Sequence, residues 1–422
     1  MLYLSFEKPR GGISNEEIPQ LLSEALARLG PRKNIMIIPP DITRLHSFSG
    51  DLTQILYRLL EDSIKDVLPA VGTHRPMTKA EIMTMFGDVP VDLFRVHDWR
   101  KDIVEIGEIP GSYVSEISGN RLHYTWPAQV NKMIPGGRHD LVLSIGQVVP
   151  HEVAGMAGYN KNILIGTGGT ESIHKSHFLG AVMGSENLMG KPDNPVRKVL
   201  NLASEKYLSP YPIVYLLSVM GKDERNILRL KGLYMGDDIE CFRRAAELSA
   251  TLNITLLDRP LKKVVVYLDP LEYHSTWLGN KSVYRTRMAI EDSGELIVIA
   301  PGVTRFGEDR TIDQLIRKYG YLTTPAILDL TQKNRDLQLN LSAAAHLIHG
   351  SPENRFKITY CTDKMTPEEI NGVGYHYCHL QEALMRYDIN QLKEGHNIMP
   401  DGEEIYYISN PALGLWAYKG RF

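Results

Sequence analysis

Short apolar runs alternate with stretches of helical periodicity along the first part of the chain, up to about residue 253. Apolar, β-branched segments predict strands at 34–40, 69–76, 93–98 and 140–148. Apolar residues at helical spacing predict helices at 51–68, 81–87, 196–208 and 238–253. This β-α-β rhythm is typical of a mostly parallel sheet covered by helices.

A second rhythm of the same kind begins with "LKKVVVYLD" at 261–269. It continues with predicted strands at 294–302 and 355–363 and predicted helices at 311–320 and 341–350. We therefore predict an α/β fold with two α/β domains, mostly parallel sheets and an active-site cleft between them. The predicted N-terminal domain is 1–262, the C-terminal domain that closes the cleft is 263–394, and 395–422 is expected to pack back on the N-terminal domain.

Composition narrows the class of protein. The 422 residues carry a formal net charge of −3 and no long basic run, so neither a nucleic-acid nor a membrane-surface partner is expected. The N-terminal residues lack the charged and apolar pattern typical of a signal peptide, so none is expected, and no apolar run reaches the roughly 18 residues that span a bilayer. The three cysteines are widely spaced and odd in number, which favours a reducing, cytoplasmic location.

Polar motifs follow three of the predicted strands. "PPDITR" places Asp41 and Arg44 after the first, "GTHRP" contains His74, and "PHEVAG" contains His151. Ligands of parallel sheets bind at the carboxyl ends of strands, so these motifs are expected to converge. Taken singly, a capping Asp, a surface Arg and packed histidines remain simpler interpretations.

The segment "PHEVAGMAGYNKNILIGTGGTESIHKSH" (150–177) concentrates potential chemistry. It fits neither the P-loop nor the dinucleotide pattern. The Gly-Thr-Gly-Gly turn predicts a helix start whose N-terminus favours an anion, while Lys161 suits a phosphate or a carbonyl-type cofactor. His174 and His177 share a helix face, and with His151 they suggest an alternative, a zinc-dependent hydrolase.

In their order and spacing these motifs resemble the lactate racemase family, and the resemblance covers most of the chain. It rests on D-x-T-R at 41–44, "GTHRP" at 72–76, "VHD" at 96–98, "PH" at 150–151, and Lys161, His177 and Lys281. The resemblance implies a nickel-pincer nucleotide as cofactor. It implies that Lys161 attaches the cofactor, that His177 ligates the nickel, and that Asp41 contacts the nucleotide part.

The resemblance also implies an isomerase that inverts the C2 stereocentre of a 2-hydroxy acid. His74 and His151 would be acid/base groups on opposite sides of the substrate, because each enantiomer needs its own base. Arg44 and Lys281 would hold the substrate carboxylate and the oxygen beside it. The implied partners are a small 2-hydroxy acid and the enzymes that make the cofactor, and the oligomeric state stays open.

The chain departs from the family pattern beside the cofactor and in the pocket wall. Tyr159 and Asn160 replace a glycine pair before the lysine. Trp277 and Leu278 replace a Tyr and a Gln ahead of Lys281, and Leu339 stands where the lactate enzymes present a tryptophan. We therefore expect a substrate other than lactate. A further hypothesis is a non-catalytic carrier of the cofactor.

Overall fold

The structure is a computed structural model that describes all residues from Met1 to Phe422. Contacts divide the chain into two compact units, one of residues 1–179 and 190–253 and the other of residues 180–189 and 254–422. Both have mixed helices and strands, as the predicted α/β class requires. None of the helices is both long and apolar enough to cross a membrane.

Up to residue 253 the strands are β1 Leu2–Glu7, β2 Ile35–Ile38, β3 Ile64–Val67, β4 Ile103–Ile109, β5 Trp126–Asn131, β6 Leu141–Gln147, β7 Pro150–His151, β8 Gly155–Met156, β9 Ile213–Lys222 and β10 Leu228–Gly236. The helices are α1 Glu17–Leu29, α2 Ser49–Leu60, α3 Lys79–Phe86, α4 Gly111–Ile117, α5 Thr170–Met183, α6 Ser185–Leu188, α7 Pro195–Ala203 and α8 Ile239–Asn253.

The first unit is built on a six-stranded sheet in the order β1-β10-β9-β6-β2-β3. The strands β9, β6, β2 and β3 run parallel, while β10 and β1 are antiparallel additions. Apolar side chains of β2 and β6, such as Ile35, Ile37 and Leu143, form a core with α1, α2 and α3. The parallel strands therefore present all their carboxyl ends along one edge.

The single helix predicted over 51–68 is wrong in its second half. The helix α2 ends at Leu60, and Ile64–Val67 is a strand that pairs in parallel with β2. Ile64 and Val67 are buried three residues apart, a spacing that also fits a helix face, so periodicity could not separate the two. The strands predicted at 69–76 and 93–98 are reduced to the isolated bridges Pro40–Ala70 and Val67–Phe94.

From residue 254 the strands are β11 Ile254–Leu257, β12 Leu261–Tyr267, β13 Ile290–Ile299, β14 Lys357–Cys361, β15 His376–Cys378, β16 Gly395–Ile398, β17 Glu404–Ile408 and β18 Leu415–Tyr418. The helices are α9 Thr276–Gly279, α10 Lys281–Tyr284, α11 Arg310–Tyr319, α12 Thr324–Lys333, α13 Arg335–Gln338, α14 Leu341–His349, α15 Pro367–Gly372 and α16 Leu380–Arg386.

The second unit has a six-stranded sheet in the order β15-β14-β13-β12-β17-β16, parallel except for β16. Residues 395–422, which we expected to pack on the N-terminal domain, belong to this unit. The strand β17 pairs in parallel with β12 along residues 264–266 and contributes buried side chains such as Ile408. The boundary also falls at 253/254, because β11 pairs with β18 rather than with the first sheet.

Candidate active site

The predicted motifs of the first unit follow the carboxyl ends of three adjacent parallel strands. Asp41 and Arg44 come after β2, His74 after β3 and His151 after β6, and these strands lie in the order β6-β2-β3. The convergence expected from the sequence is therefore built into the sheet. It brings carboxylate, guanidinium and imidazole groups to one edge of the first unit.

Asp41 holds His74. The Asp41 side chain is buried, and its Oδ2 lies 2.7 Å from Nδ1 of His74, while Oδ1 accepts hydrogen bonds from the amide and hydroxyl of Thr43. Burial raises the pKa of Asp41, but the neighbouring His74 and the hydrogen bonds outweigh it, so this pKa lies below its ordinary value. The ionised carboxylate accepts the Nδ1–H proton, which leaves the lone pair of His74 on Nε2.

Arg44 lies in a short 3₁₀ segment, Ile42–Ser47, where its own backbone leaves the helical region. Its Nη1 atom is buried and has no hydrogen-bond partner within the chain. A buried guanidinium nitrogen is expected to have an acceptor, so the position suits a carboxylate or phosphate oxygen of a ligand. The Arg44 charge also lowers the pKa of Lys161, which places both cations in one site.

Lys161 closes a loop that is tied tightly to the sheet. The side-chain amide of Asn162 donates hydrogen bonds to the Ile38 carbonyl, the Ser144 hydroxyl and the Ile145 carbonyl, at 3.0–3.2 Å. Burial lowers the pKa of Lys161 to about 8, and the Glu152 carboxylate acts in the opposite direction. A fraction of the amine is therefore uncharged near neutral pH, as attachment to an acyl-type group requires.

Arg197 is a site residue that sequence reasoning missed. Its buried guanidinium donates hydrogen bonds to the Met156 carbonyl and to Oδ1 of Asn160, 2.7 Å away, and so braces the loop before Lys161. Nδ2 of Asn160 in turn donates to Asn201. The available signal was an arginine on the apolar face of the predicted helix 196–208.

Tyr159 adopts the left-handed conformation, with φ of +59°, at a position where the family pattern has glycine. Its ring packs 4.4 Å from the Tyr215 ring and 5.5 Å from that of Phe242, measured between centroids. The aromatic packing offsets a backbone strain of about 1 kcal/mol or more. Replacement of the glycine by Tyr159 therefore makes this position less flexible and adds an aromatic side chain that packs in the core.

The environment of His177 fits a metal ligand. Nδ1 lies 2.7 Å from the Ile173 carbonyl oxygen, so it carries the proton and donates it, which leaves Nε2 unprotonated. Burial lowers the pKa of His177 to about 4, so the ring is neutral at ordinary pH. A metal-bound histidine commonly donates its other ring N–H to a backbone carbonyl in this way.

His174 does not join a metal cluster. Its buried ring lies 5.9 Å from the ring of Trp99. No group of three or more His, Cys, Asp or Glu side chains in the chain is arranged to hold a metal ion. The zinc site of the alternative hydrolase, formed by His151, His174 and His177, is therefore not formed, whereas a cofactor that brings its own donors needs only His177.

The Gly-Thr-Gly-Gly turn is shaped by the protein itself. A Cβ atom on Gly168 would lie 2.1 Å from the Leu164 carbonyl oxygen, and one on Gly169 would lie 2.5 Å from Oε1 of Gln129. The same Gln129 oxygen accepts the amides of Glu171 and Ser172 at the start of α5. The first amides of α5 therefore already have an acceptor within the protein, and they do not form the anion site that we expected.

His97 is a buried histidine whose two ring nitrogens both have hydrogen-bond partners within the chain. Nε2 donates to the Gly168 carbonyl at 3.0 Å, and Nδ1 accepts a hydrogen bond from Asn131 at 2.9 Å. Burial lowers the pKa of His97, which keeps the ring neutral. Through its contact with the Gly168 carbonyl, His97 fixes the turn before α5.

Lys281 belongs to the second unit, where it begins α10 and is buried. Its Nζ lies 3.6 Å from Oε1 of Glu272 and 5.2 Å from the ring centroid of Tyr273. Asn410 joins this group by donating to Glu272 and accepting from the Tyr273 hydroxyl. The lysine therefore stands in a polar cluster of its own unit that includes a carboxylate.

The other residues that depart from the family pattern also have definite positions in the second unit. Trp277 stacks on His346 with centroids 4.5 Å apart, and His346 is hydrogen-bonded to Tyr321. Leu339 is 62% exposed. Trp277 keeps an aromatic ring but lacks the tyrosine hydroxyl of the family pattern, and Leu339 lacks the tryptophan ring of that pattern.

Part of the chain is similar to lactate racemases. Residues 19–190 match the family described as "Lactate racemase N-terminal domain". The lactate racemase of Thermoanaerobacterium thermosaccharolyticum is 30% identical over 190 residues, which cover 42% of this chain and 39% of that protein. The lactate racemase of Lactiplantibacillus plantarum is 27% identical over 226 residues, or 51% and 47% of the two chains. The chain thus matches less than half the length of these curated relatives.

Two solved structures share the fold over nearly the whole chain. A crystal structure of a Thermotoga maritima protein superposes with a TM-score of 0.83 at 26% identity, covering 98% of this chain and 100% of that one. The lactate racemase apoprotein of T. thermosaccharolyticum gives 0.67 at 19% identity, covering 98% and 94%, and this likeness shows the fold alone. The first part of the chain is therefore similar to the lactate racemase family, and nearly the whole chain has the fold of both solved structures.

Proposed function

We propose that the protein is a racemase or epimerase that inverts C2 of a 2-hydroxy acid and uses a nickel-pincer nucleotide. The observation that carries the proposal is the hydrogen-bonded pair of Asp41 and His74, which lies close enough to Lys161 and His177 to act on their pKa values. A general base with a fixed tautomer, an amine of lowered pKa and a neutral imidazole are the groups that this chemistry needs.

The residues divide into those that hold the cofactor and those that handle the substrate. Nε2 of His177 would ligate the nickel, Lys161 would attach the pincer ring, and Asp41 would lie beside the nucleotide. When bound, the nickel-pincer nucleotide would supply a hydride acceptor for C2 of the substrate. The buried Nη1 of Arg44 would donate a hydrogen bond to a carboxylate or phosphate oxygen of the ligand, and Lys281 would bind a substrate oxygen.

Proton transfer falls to the histidines. Nε2 of His74 takes the hydroxyl proton of one enantiomer, and the adjacent Asp41 carboxylate stabilises the imidazolium that results. His151 serves the opposite enantiomer. Neither step requires removal of the C2 hydrogen as a proton, which is a difficult reaction beside an ionised carboxylate.

The proposal includes a substrate other than lactate, because Trp277, Leu278 and Leu339 replace residues of the lactate pattern. It also places the protein in the cytoplasm, where its three free cysteines would stay reduced. Loading depends on the enzymes that make the cofactor.

The test is co-expression with those enzymes, followed by intact mass, nickel analysis and a panel of 2-hydroxy acids. We expect a mass increase that maps to Lys161, bound nickel, and inversion of at least one acid. A loaded protein that inverts none of a broad panel would instead support a non-catalytic carrier.

A further inference from the structure

The two proposed acid/base histidines are held differently at Nδ1. At His74 this nitrogen donates its proton to the Asp41 carboxylate. At His151 the same nitrogen accepts hydrogen bonds from the amides of Val153, at 3.1 Å, and Ala154, at 3.4 Å. A neutral His151 therefore carries its proton on Nε2, the opposite tautomer to that of His74.

This tautomer of His151 cannot perform either half of acid/base chemistry at Nε2. That nitrogen is already protonated, so it cannot accept a proton, and giving up the proton would leave an unstable imidazolate. The basic neutral tautomer and the acidic imidazolium both carry a proton on Nδ1. Each reactive form thus needs an acceptor at Nδ1 in place of the Val153 amide.

A side-chain acceptor close to this nitrogen is the Glu152 carboxylate. Its Oε2 lies 3.5 Å from Nδ1 of His151, and the side chain is only 16% exposed. This distance is longer than the about 2.7–3.2 Å of an N–H···O hydrogen bond, so a small rotation would complete the contact. The Glu152 charge also opposes the lowering of the Lys161 pKa, which places the carboxylate among the groups of the site.

We infer that Glu152 is the positioning residue of His151, as Asp41 is of His74. In the unloaded protein the two amides hold His151 in its unreactive Nε2–H tautomer. Glu152 accepts the Nδ1–H proton whenever His151 is the base or the acid. The catalytic consequence rests on the proposed function, whereas the tautomers and the role of Glu152 belong to the chain alone.

The test uses nitrogen-15 NMR of the histidine rings in the unloaded, full-length protein, because two-bond correlations distinguish Nδ1–H from Nε2–H. Variants His74→Gln and His151→Gln assign the signals. At a pH where both rings are neutral, we expect Nδ1–H at His74 and Nε2–H at His151. Observation of Nδ1–H at a neutral His151 would overturn the inference.

Titration of the His151 signals then tests Glu152 itself. Glu152→Gln should lower the midpoint of His151 protonation by about one pH unit, and Glu152→Asp should restore most of it. The exposed Glu105→Gln is the control for loss of a carboxylate and should leave the midpoint unchanged. The three titrated variants keep all other charged groups of the site, which are Asp41, Arg44, His74, Lys161 and His177. A difference in the His151 midpoint between Glu152→Gln and the wild type therefore reports on Glu152. An unchanged midpoint in Glu152→Gln would overturn the inference.

Loaded enzyme gives an independent measurement. Glu152→Gln should lower kcat about ten- to hundredfold, with no further loss when it is added to His151→Gln. Equal losses from Glu152→Gln in both backgrounds would contradict a role through His151. If the NMR results hold but no 2-hydroxy acid is inverted, the proposed function fails and the assignment of Glu152 to His151 stands.

Discussion

Oδ2 of Asp41 lies 2.7 Å from Nδ1 of His74, within a site where Asp41 is buried and His74 is partly exposed. The sequence resemblance implied that this aspartate contacts the nucleotide of the cofactor, and that contact stays a prediction. Within the chain, its oxygens are used by His74 and Thr43. The relationship gives Asp41 a second role, which can be measured.

Asp41→Asn should lower racemase turnover by roughly 10²–10⁴-fold, the contribution typical of one general base. The amide nitrogen would donate to Nδ1 of His74, move the ring proton to Nε2 and remove the base. The measurement is kcat at saturating substrate with nickel content monitored in parallel. Turnover that falls only in proportion to nickel content would show that Asp41 acts on cofactor binding instead.

His177→Ala should abolish nickel retention. The Ile173 carbonyl accepts the proton on Nδ1 of His177, so the lone pair on Nε2 is available to the metal. His174→Ala is the matched control on the same helix and should retain nickel, since its ring packs against Trp99. The measurement is the nickel content of both variants after co-expression with the cofactor-producing enzymes and purification. Nickel loss in both variants, or in neither, would remove His177 from its proposed role.

Lys161→Met should change the pH dependence of stability. Burial lowers the folded-state pKa from 10.5 to about 8, so between these values the unfolded chain binds more protons and stability rises with pH. Below about pH 8 the wild-type protein is destabilised by its buried ammonium, and above 10.5 the effect is gone. In urea unfolding of the unloaded protein, the free energy of unfolding of the wild type should rise relative to that of the variant between about pH 8 and pH 10.5.

The exposed Lys198→Met controls for loss of a lysine in that experiment. A difference between wild type and Lys161→Met that stays constant from pH 8 to 10.5 would contradict the lowered pKa.

His97→Leu should lower the free energy of unfolding by about 1–3 kcal/mol for each buried group that loses its partner, here the Asn131 amide and the Gly168 carbonyl. The exposed His376→Leu should change it by less than about 0.5 kcal/mol. Denaturant unfolding measures both. Full stability combined with lost turnover in His97→Leu would make His97 a catalytic rather than a structural residue.

Much of the fold follows from local pattern. The strand Leu141–Gln147 and the helices Lys79–Phe86 and Ile239–Asn253 lie where periodicity and turn residues predict them. The strand Ile64–Val67 was missed because its two buried residues also fit a helix. The placement of Glu404–Ile408 was missed because pairing with β12 depends on contacts far apart in sequence.

In the site, too, some features follow from local motifs and others depend on contacts between residues far apart in sequence. Strand order explains why Asp41 meets His74 across 33 residues, and the positions of both motifs after strands made this predictable. Arg197 could not be found in this way, because its role depends on the Met156 carbonyl and Asn160 rather than on any local motif. The opposite tautomers of His74 and His151 depend on individual hydrogen bonds, which spacing does not encode.

The most direct test of the proposed chemistry follows the C2 hydrogen. Loaded enzyme is given one enantiomer of an accepted 2-hydroxy acid in deuterium oxide, and the inverted product is analysed by mass spectrometry. Transfer of hydride to the cofactor and back predicts a product that keeps its original hydrogen at C2. Deuterium at C2 of the inverted product would show that the hydrogen leaves as a proton and would contradict the account.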